Sequence, residues 1–410
     1  MASERLTHRP ALSRGAAFWL AAVLLFVLLL AAGAPSPLYR VYQAEWHFSA
    51  TTLTEVFGVY ALVLLVTLLF LGSLSDHVGR RPVILAGMLM DAAACAVFGA
   101  ATDVGALYVA RAMQGIAVGL ATGALGAALL ELEPAGSGRA ALLTSAAPTA
   151  GLAVGALGTS ALVQYGPAKT HLTWWLLVAM FLVAAAAVML MPEPGWRRPG
   201  AIASLRPRVG VPREARSAFL LALPCLIAVW ALGGLYLSLG ASLTAQLVGS
   251  SNLLWGGIAI FLLPGTAAVA TVALRNTAPH TAMLAGCIAL LAGAAITFVA
   301  ISTRTSWAFL LGTVVAGIGF GPGFTGAYRV VVARSTADGR ASLIAAIFTV
   351  SYLAFSLPAV IAGVATTHYG LHDTALVYCG VIALLVAVAT ASLTLRRRYA
   401  GTPAPACADP

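Results

Sequence analysis

Long apolar runs recur along the whole 410-residue chain. Each has about 18 to 25 residues, long enough for a helix to cross a hydrocarbon core of about 30 Å. Hydrophobic residues make up 60% of the chain and charged residues only 9%. Strands with open edges are not tolerated in lipid, and the runs lack the alternation of a barrel. We therefore predict an all-α membrane protein with twelve transmembrane helices, numbered in chain order, at residues 16–34, 53–71, 83–101, 105–130, 140–163, 172–191, 217–240, 250–274, 281–301, 307–332, 341–365 and 374–395.

Basic residues are distributed unevenly between the two sides of such a bundle. All but four of the 23 Lys and Arg residues lie on the side that holds both termini; the exceptions are Arg40, Lys169, Arg304 and, inside helix 4, Arg111. Basic loops stay in the cytoplasm, so both termini are expected there. The net charge of +10 then reflects attraction to anionic lipid and requires no nucleic-acid partner. Arginine outnumbers lysine 22 to 1, which is typical of a GC-rich bacterial gene, and we expect a monomer in the bacterial cytoplasmic membrane.

The chain is predicted to consist of two similar halves. GIAVG at 115–119 matches GIGFG at 317–321, GRAALL at 138–143 matches GRASLI at 339–344, and QYG at 164–166 matches HYG at 368–370. Three ordered matches at nearly one offset indicate an internal repeat. We predict an N-terminal six-helix half at 1–191, a Pro- and Arg-rich cytoplasmic linker at 192–216, a C-terminal half at 217–398 and a tail at 399–410. Parallel halves of this kind are typical of secondary transporters with a binding site near mid-membrane.

The connection between helices 2 and 3 carries a motif. It reads GSLSDHVGRRPVI from residue 72, and helix 4 contains ARAMQGIAVG from residue 110. The first stretch resembles the signature loop of the major facilitator superfamily, G-x-L-x-D-x-x-G-R-[RK], and the second resembles that family's R-x-x-Q-G-x-x-x-G pattern. The resemblance implies the major facilitator fold, two pseudo-symmetric six-helix bundles that move a small molecule by alternating access.

The resemblance also implies a cytoplasmic gate. In the family the loop aspartate, here Asp76, sits against the N-terminus of helix 11, and the loop arginine pairs with an acid at the inner end of helix 4. The alternative is that these charges only anchor the loop in water. The equivalent loop in the second half retains Arg275 but lacks the aspartate, so the gate is expected on one side only. The gate residues are predicted to be Gly72, Asp76, Gly79, Arg80, Arg81, Glu131, Glu133, Gly339 and Arg340.

Coupling to an ion gradient is expected, because the sequence contains no Walker A motif that could bind ATP. Acids within apolar runs are the usual proton carriers, and Asp91 lies about 12 Å into helix 3, near the midplane. The proton-coupling candidates are Asp91, Glu55 and Arg111, the last two as a pair for which proton and substrate compete. Alternatively, Asp91 only binds a neighbouring helix and Glu55 is solvated from outside. No cofactor is expected, and the five cysteines show no metal-ligand or disulfide spacing.

The substrate cavity is expected, from the resemblance, between helices 1, 4, 7 and 10, with helices 2, 5, 8 and 11 beside them. The alternative for each aromatic residue is ordinary packing or contact with lipid. The cavity candidates on these helices are Tyr60, Arg111, Gln114, Trp230, Tyr236, Trp255, Tyr328 and Tyr352.

The motif in helix 5 bears on the direction of transport. Drug/proton antiporters of the family carry G-x-x-x-G-P-x-x-G-G in helix 5, whereas this chain has GLAVGALGTS from Gly151 to Ser160. An apolar, aromatic cavity with few charges favours a small amphipathic molecule. We therefore expect proton-coupled efflux, with import of a nutrient or metabolite as the alternative and a non-transporting receptor as a third hypothesis. No catalytic constellation of an intramembrane enzyme is present in the spans.

Overall fold

The computed structural model describes residues 12–135, 137–195 and 199–400. Within these residues the regular structure is helical throughout, and twelve helices are long and apolar enough to span a membrane. This confirms the predicted number of spans. The basic residues Arg5 and Arg9 and most of the predicted tail, from residue 401 onward, lie outside the described residues. The spans are Arg14–Trp46, Ala50–Leu71, Arg80–Gly99, Val104–Leu132, Arg139–Tyr165, Leu172–Met189, Arg213–Ser238, Leu254–Ala273, Pro279–Ser302, Ser306–Val332, Asp338–Tyr369 and Leu371–Leu395.

The first helix of each half is longer than its apolar run. Helix 1 is interrupted at Ala34 and continues as Pro35–Trp46, and helix 7 is followed by Gly240–Val248. Pro35 begins its segment, where proline lacks only an N–H that would have no partner in the helix. Tyr42 in the extension is buried and accepts a hydrogen bond from Trp174 Nε1 at 2.7 Å. Hydropathy missed these extensions because tertiary packing, not length of apolar sequence, stabilises them.

The signature loop contains a short helix, Ser75–Val78, between helices 2 and 3. Gly79 separates this helix from helix 3 with φ of 115°, a backbone conformation that residues with a Cβ rarely adopt. The turn reverses the chain sharply at the membrane surface. It brings Asp76, in the short helix, to Arg80, the first residue of helix 3, and the two side chains form an ion pair.

Glycines bring the helices within each half into close contact. A Cβ added at Gly115 on helix 4 would lie 2.7 Å from the Tyr60 carbonyl oxygen on helix 2, and one at Gly119 would lie 2.7 Å from Thr67 Cβ. The corresponding glycines of helix 10, at 317 and 321, approach helix 8 in the same way. Such small-residue faces let membrane helices approach closely and gain van der Waals contact.

The two halves touch along two seams, helix 2 against helix 11 and helix 5 against helix 8. We call the side that holds the 192–216 linker the linker side. The tight contacts lie away from it: Gly58 packs against Val360, and Phe57 and Phe355 have ring centroids 4.9 Å apart. In the second seam, Gln164 Oε1 accepts a hydrogen bond from Leu253 N at 2.9 Å. The halves are therefore joined most closely on the side opposite the linker.

Candidate functional site: a charged loop, a buried polar cluster and an aromatic group

Arg80 is the centre of a charged network on the linker side. Its Nη2 donates to Glu131 Oε1 at 2.8 Å, and its Nη1 donates to Ser75 Oγ at 2.7 Å and to Asp76 Oδ1. The Arg80 side chain is only 12% exposed, so these pairs are partly shielded from solvent. The loop between helices 2 and 3 is thereby tied to the end of helix 4, where the resemblance places the partner acid.

Glu193, just after helix 6, completes the network and was missed by sequence reasoning. Its Oε1 accepts from Arg80 N at 2.6 Å and its Oε2 accepts from Arg81 N at 3.2 Å, so it caps helix 3. A carboxylate is favoured there by the free N–H groups and the helix dipole. The Arg81 guanidinium donates to the Met189 carbonyl oxygen at the end of helix 6. No local spacing in the sequence signals this cap, because it joins segments more than 100 residues apart.

Glu133 has a different role from Glu131. Its Oε1 accepts from Ser137 Oγ at 2.7 Å and from Ala140 N at 3.0 Å, so it caps helix 5. The backbone hydrogen bond from Ala140, followed by that from Ser137, lowers the pKa of the Glu133 carboxyl below its ordinary value. Of the two predicted acids, Glu131 is the one that the structure brings to Arg80.

The start of helix 11 contacts the linker. Gly339 packs beside Pro212, whose Cγ would lie 2.6 Å from an added Cβ, and Gly210 N donates to the Ser342 carbonyl oxygen at 3.3 Å. Among the described residues, Asp76 is hydrogen-bonded to Arg80 and not to helix 11, and Arg340 is exposed. The expected contact of Asp76 with helix 11 is thus not made in this conformation, because linker residues cover that helix end.

A buried polar cluster lies inside the N-terminal half, around Arg111. Arg111 is 1% exposed; its Nη1 donates to Gln114 Oε1 at 2.6 Å, and its guanidinium carbon lies 4.0 Å from the centroid of the Tyr60 ring. Gln114 Nε2 in turn donates to the Ala31 carbonyl oxygen at 3.0 Å. A cation over an aromatic face gains electrostatic stabilisation, more so when water is excluded. Helices 1, 2 and 4 therefore meet at Arg111.

Asp91 faces this cluster from helix 3. It is fully buried, about 16 Å along the helix from Arg80, close to the middle of the span. Neither carboxylate oxygen has a hydrogen-bond partner among the described residues, and Arg111 Nε is also without one. Gln114 and Arg111 are the polar side chains that act on it. An isolated charge in such a place is expensive, so the carboxylate needs either the arginine or a proton to neutralise it.

Glu55 lies apart from the cluster. It is exposed, and its Oε2 accepts a hydrogen bond from Tyr108 OH at 2.7 Å. Arg111 is nearly one helical turn deeper than Tyr108 and faces Tyr60. The predicted pair of Glu55 and Arg111 is therefore not formed in the structure, since the register of helices 2 and 4 places the acidic neighbour of Arg111 on helix 3 instead.

Aromatic side chains of the C-terminal half surround Trp230. Its ring centroid lies 5.0 Å from Tyr352, 5.5 Å from Phe324 and 5.6 Å from Phe355. Its Nε1–H is buried and has no acceptor among the described residues. We call Trp230, Phe324, Tyr328, Tyr352 and Phe355 the aromatic group. It reaches the N-terminal half through Phe57, one helical turn from Tyr60.

Two predicted cavity residues lie outside the aromatic group. Tyr236 is 2% exposed and its OH shares a 2.6 Å hydrogen bond with Thr313 Oγ1, so it packs helix 7 on helix 10. Trp255 is 37% exposed at the start of helix 8. The structure instead adds Phe324 and Phe355, which sequence reasoning missed. Their helical spacing from Tyr328 and Tyr352, four and three residues, was the available signal.

Comparison with known proteins identifies the chain. The family model described as Major Facilitator Superfamily matches residues 21–359, most of the chain. The chain belongs to the major facilitator superfamily. Its members are transporters and not enzymes, so the superfamily relationship suggested by the signature loop is confirmed.

Curated members of the superfamily match shorter stretches of this chain. A puromycin resistance protein of Streptomyces alboniger is 35% identical over 150 residues, 36% of this chain and 29% of that protein. Multidrug resistance protein D of Escherichia coli (strain K12) is 35% identical over 103 residues, 24% and 26% respectively. A uridine/deoxyuridine transporter of Lactococcus lactis is 30% identical over 95 residues, 23% and 20%. The matched stretch thus spans under a third of each relative's length.

Two solved structures share the superfamily fold over most of their length. The nucleoside transporter NupG superposes with a TM-score of 0.66 at 14% identity, covering 92% of this chain and 98% of NupG. The human organic anion transporter MFSD10 superposes with a TM-score of 0.62 at 18% identity, covering 92% of this chain and 100% of MFSD10. At these identities the likeness concerns the fold alone, and it confirms the predicted fold class.

The described part of this superfamily member contains no group of three His, Cys, Asp or Glu side chains placed to hold a metal ion. Its described cysteines, Cys95, Cys225, Cys287 and Cys379, are buried and free, while Cys407 lies outside the described residues.

Proposed function

We propose that this chain is a proton-coupled secondary transporter that exports a small amphipathic organic molecule across the bacterial cytoplasmic membrane. The observation that carries the proposal is the fully buried Asp91 carboxyl, whose polar neighbours are Gln114 and Arg111. The cluster lies in one half, and Phe57, one helical turn from Tyr60 of the cluster, contacts Phe355 in the aromatic group of the other half. This neighbourhood supports the proposal that proton carriage and substrate binding are coupled.

Coupling arises from competition for Arg111. When Asp91 is charged, it balances the guanidinium; when it takes up a proton, the guanidinium must rely on Gln114, Tyr60 or a substrate acceptor. The two proton states therefore differ in how strongly the cluster attracts a substrate. Glu55 is not part of this exchange, because it is exposed and bonded to Tyr108.

Alternating access is proposed to occur by rocking of the two halves. In this conformation the tight seams lie opposite the linker, so the linker side is the open side. The excess of basic residues favours placing that side in the cytoplasm. Closure would bring Asp76 to the free N–H groups at the start of helix 11, near Gly339, after linker residues such as Pro212 move away. Arg80, Glu131 and Glu193 would hold the loop in position for that contact.

The aromatic group supports an amphipathic organic substrate. Trp230 offers an N–H donor without an acceptor among the aromatic rings, and Arg111 supplies a cation that lies against Tyr60. Such a site fits an apolar body with a few hydrogen-bond acceptors. Export agrees with the names of two relatives, a puromycin resistance protein and a multidrug resistance protein. Because the two halves of the site come from one chain, we propose that the protein works as a monomer, without cofactor or nucleic acid.

Import of a nutrient or metabolite is the second candidate function. It is favoured by the uridine/deoxyuridine transporter among the relatives and by the altered helix 5 motif. The altered residues Ala156 and Ser160 pack against Gly257 of helix 8, so they form a seam between the halves. Proline at 156 would change that seam. The sign of the proton flux separates the two functions.

The test is proton flux in proteoliposomes with a trapped pH dye and an imposed pH gradient. A chemically broad compound library is added, and Asp91→Asn is compared with the matched control Glu55→Gln. We expect a substrate of the wild-type protein to dissipate the gradient, Glu55→Gln to behave like wild type, and Asp91→Asn to lose proton flux while retaining uncoupled substrate exchange. Flux of the opposite sign would indicate import. Coupled transport by Asp91→Asn would overturn the proton-carrier role, and no response to any compound would favour a receptor.

A further inference from the structure

A cavity of about 630 Å³ opens on the linker side of the seam between helices 5 and 8. Helix 1 contributes Ala22, helix 5 contributes Ala146 and Ala150, and helix 8 contributes Ala268 and Val272. Every residue that lines it is apolar. It is therefore bounded by both halves of the transporter, unlike a groove on the surface of one half.

The cavity begins where the seam stops being tight. Farther from the linker, Gly257 of helix 8 packs directly on Ser160 of helix 5, and an added Cβ at Gly265 would lie 3.7 Å from Ala153 Cβ. One turn beyond Ala153, at Ala150, the two helices no longer fill the space between them. The width of the cavity must therefore change when the halves rock.

The mouth of the cavity faces the lipid region. The side chains of Trp19, Val23 and Val269 are 53%, 54% and 70% exposed on spanning helices, while Ala22 and Ala268, deeper in, are 5% and 8% exposed. Alanines along the walls keep the space open, because each longer side chain would fill part of it. An apolar chamber open to lipid is accessible to hydrocarbon and excludes hydrated solutes.

A cation stands at the linker-side rim of this chamber. Arg275 follows helix 8, is exposed, and its Nη1 donates to the carbonyl oxygen of Val272, one of the lining residues, at 3.1 Å. An apolar chamber with an arginine at the depth of the headgroups matches a molecule with an apolar body and an acceptor or anionic head.

We propose that this cavity is a lateral access site, through which the apolar part of a membrane-dissolved amphiphile passes from the linker-side leaflet into the space between the halves. The proposal rests on the proposed transport function and specifies its substrate class: an amphiphile with an acceptor or anionic head. The proposed occupant of the cavity is the transported molecule. A resident phospholipid tail in the cavity would contradict the proposal.

Photolabelling tests the site without requiring transport. The full-length protein is reconstituted in phosphatidylethanolamine/phosphatidylglycerol vesicles and labelled either with stearic acid that carries a diazirine or with phosphatidylcholine that carries the same group. We expect the stearate probe to label helices 5 and 8 and to be displaced by excess stearate. Equal labelling by the phosphatidylcholine probe, or labelling that stearate does not displace, would overturn the proposal in favour of a resident lipid.

A graded series at one wall residue gives the second readout. Ala150→Val, Ala150→Leu and Ala150→Trp should lower stearate labelling progressively, by about tenfold once about two methylene groups lose their buried surface. The matched control is Val381→Trp, in an apolar groove of about 560 Å³ formed by helices 7, 11 and 12 of one half. Labelling that is unchanged along the Ala150 series, in variants that remain monodisperse, would overturn the proposal.

Transport measurements separate failure of this inference from failure of the proposed function. The test solute is stearate without the diazirine. The Ala150→Trp variant should no longer transport stearate into vesicles or out of them, while its proton-coupled transport of any water-soluble substrate continues. If transport is absent from the wild-type protein but the labelling pattern holds, the proposed function is wrong and the binding site stands. If transport of stearate is unaffected by Ala150→Trp, the access site is wrong and the transport function stands.

Discussion

Single charged residues at the linker side serve distinct partners even though they are close in sequence. Glu131 pairs with Arg80, whereas Glu133, two residues later, caps helix 5 through Ala140 N. The difference follows from where helix 4 ends: Glu131 is still helical and points to helix 3, while Glu133 lies just past the last helical residue. The direction of a side chain at a helix end decides its partner.

Removing the Glu133 carboxylate should make the stability of the protein less dependent on pH in the acidic range. Its pKa is lowered in the folded protein, so its contribution is present above the ordinary glutamate value of about 4.3 and is lost as the pH falls through and below that value. We expect the Tm of the wild-type protein in detergent to fall more steeply than that of Glu133→Gln between neutral pH and acid. Parallel curves for the two proteins would contradict the assigned cap.

At the scale of elements, close helix contacts depend on glycine only where another helix is near. Gly115 meets the backbone of helix 2 at Tyr60, whereas a Cβ at Gly158 on helix 5 would meet nothing within 4 Å. The two glycines look alike in an apolar sequence. Their difference is created by the neighbouring helix.

Gly115→Ala should destabilise the N-terminal half by about 1–3 kcal/mol, because the methyl group would overpack the contact with helix 2. Gly158→Ala is the matched control and should be neutral or stabilising by up to about 1 kcal/mol, since alanine has the higher helix propensity. Thermal unfolding in detergent measures both. Equal effects of the two substitutions would rule out the packing explanation.

The seam between helices 2 and 11 should act as a closed contact of this conformation. Thr51 Oγ1 and Thr367 Oγ1 lie 3.0 Å apart across it. In a cysteine-free background, oxidation of Thr51→Cys with Thr367→Cys should form a cross-link and stop transport, and a reductant should restore it, because the halves can no longer separate on that side. The control pair, Thr52→Cys with Thr367→Cys, is one residue out of register. Full transport by the cross-linked protein would show that this seam does not open.

For the whole molecule, the arrangement of contacts corresponds to one state of the proposed rocking cycle. The seams are tight opposite the linker, and on the linker side Asp76 is held by Arg80 while Pro212 covers Gly339. A second state, closed on the linker side, would exchange the Pro212 contact for one between Asp76 and helix 11. In the proposed cycle the same residues would therefore have different partners in the two states.

Asp76→Asn should weaken that second state. Loss of the carboxylate from a helix N-terminus and from Arg80 is expected to lower the transport rate by about three- to tenfold while the protein remains in the membrane. Asp373→Asn is the control, since it removes an exposed acid at the start of helix 12, on the side opposite the linker. Initial rates in proteoliposomes check the outcome. Unchanged kinetics for Asp76→Asn would remove this residue from the gate.

The sequence by itself determined the twelve spans, the repeat and the signature loop, because long apolar runs and short motifs act locally and lipid leaves few folds available. It also placed Asp91 near mid-membrane, since depth follows from position along a helix. Only the tertiary structure decided that Asp91 and not Glu55 faces Arg111, that Glu193 caps helix 3, and that phenylalanines complete the wall around Trp230. These contacts depend on the register and rotation of helices that are distant in sequence, and the hydropathy of the sequence does not determine either.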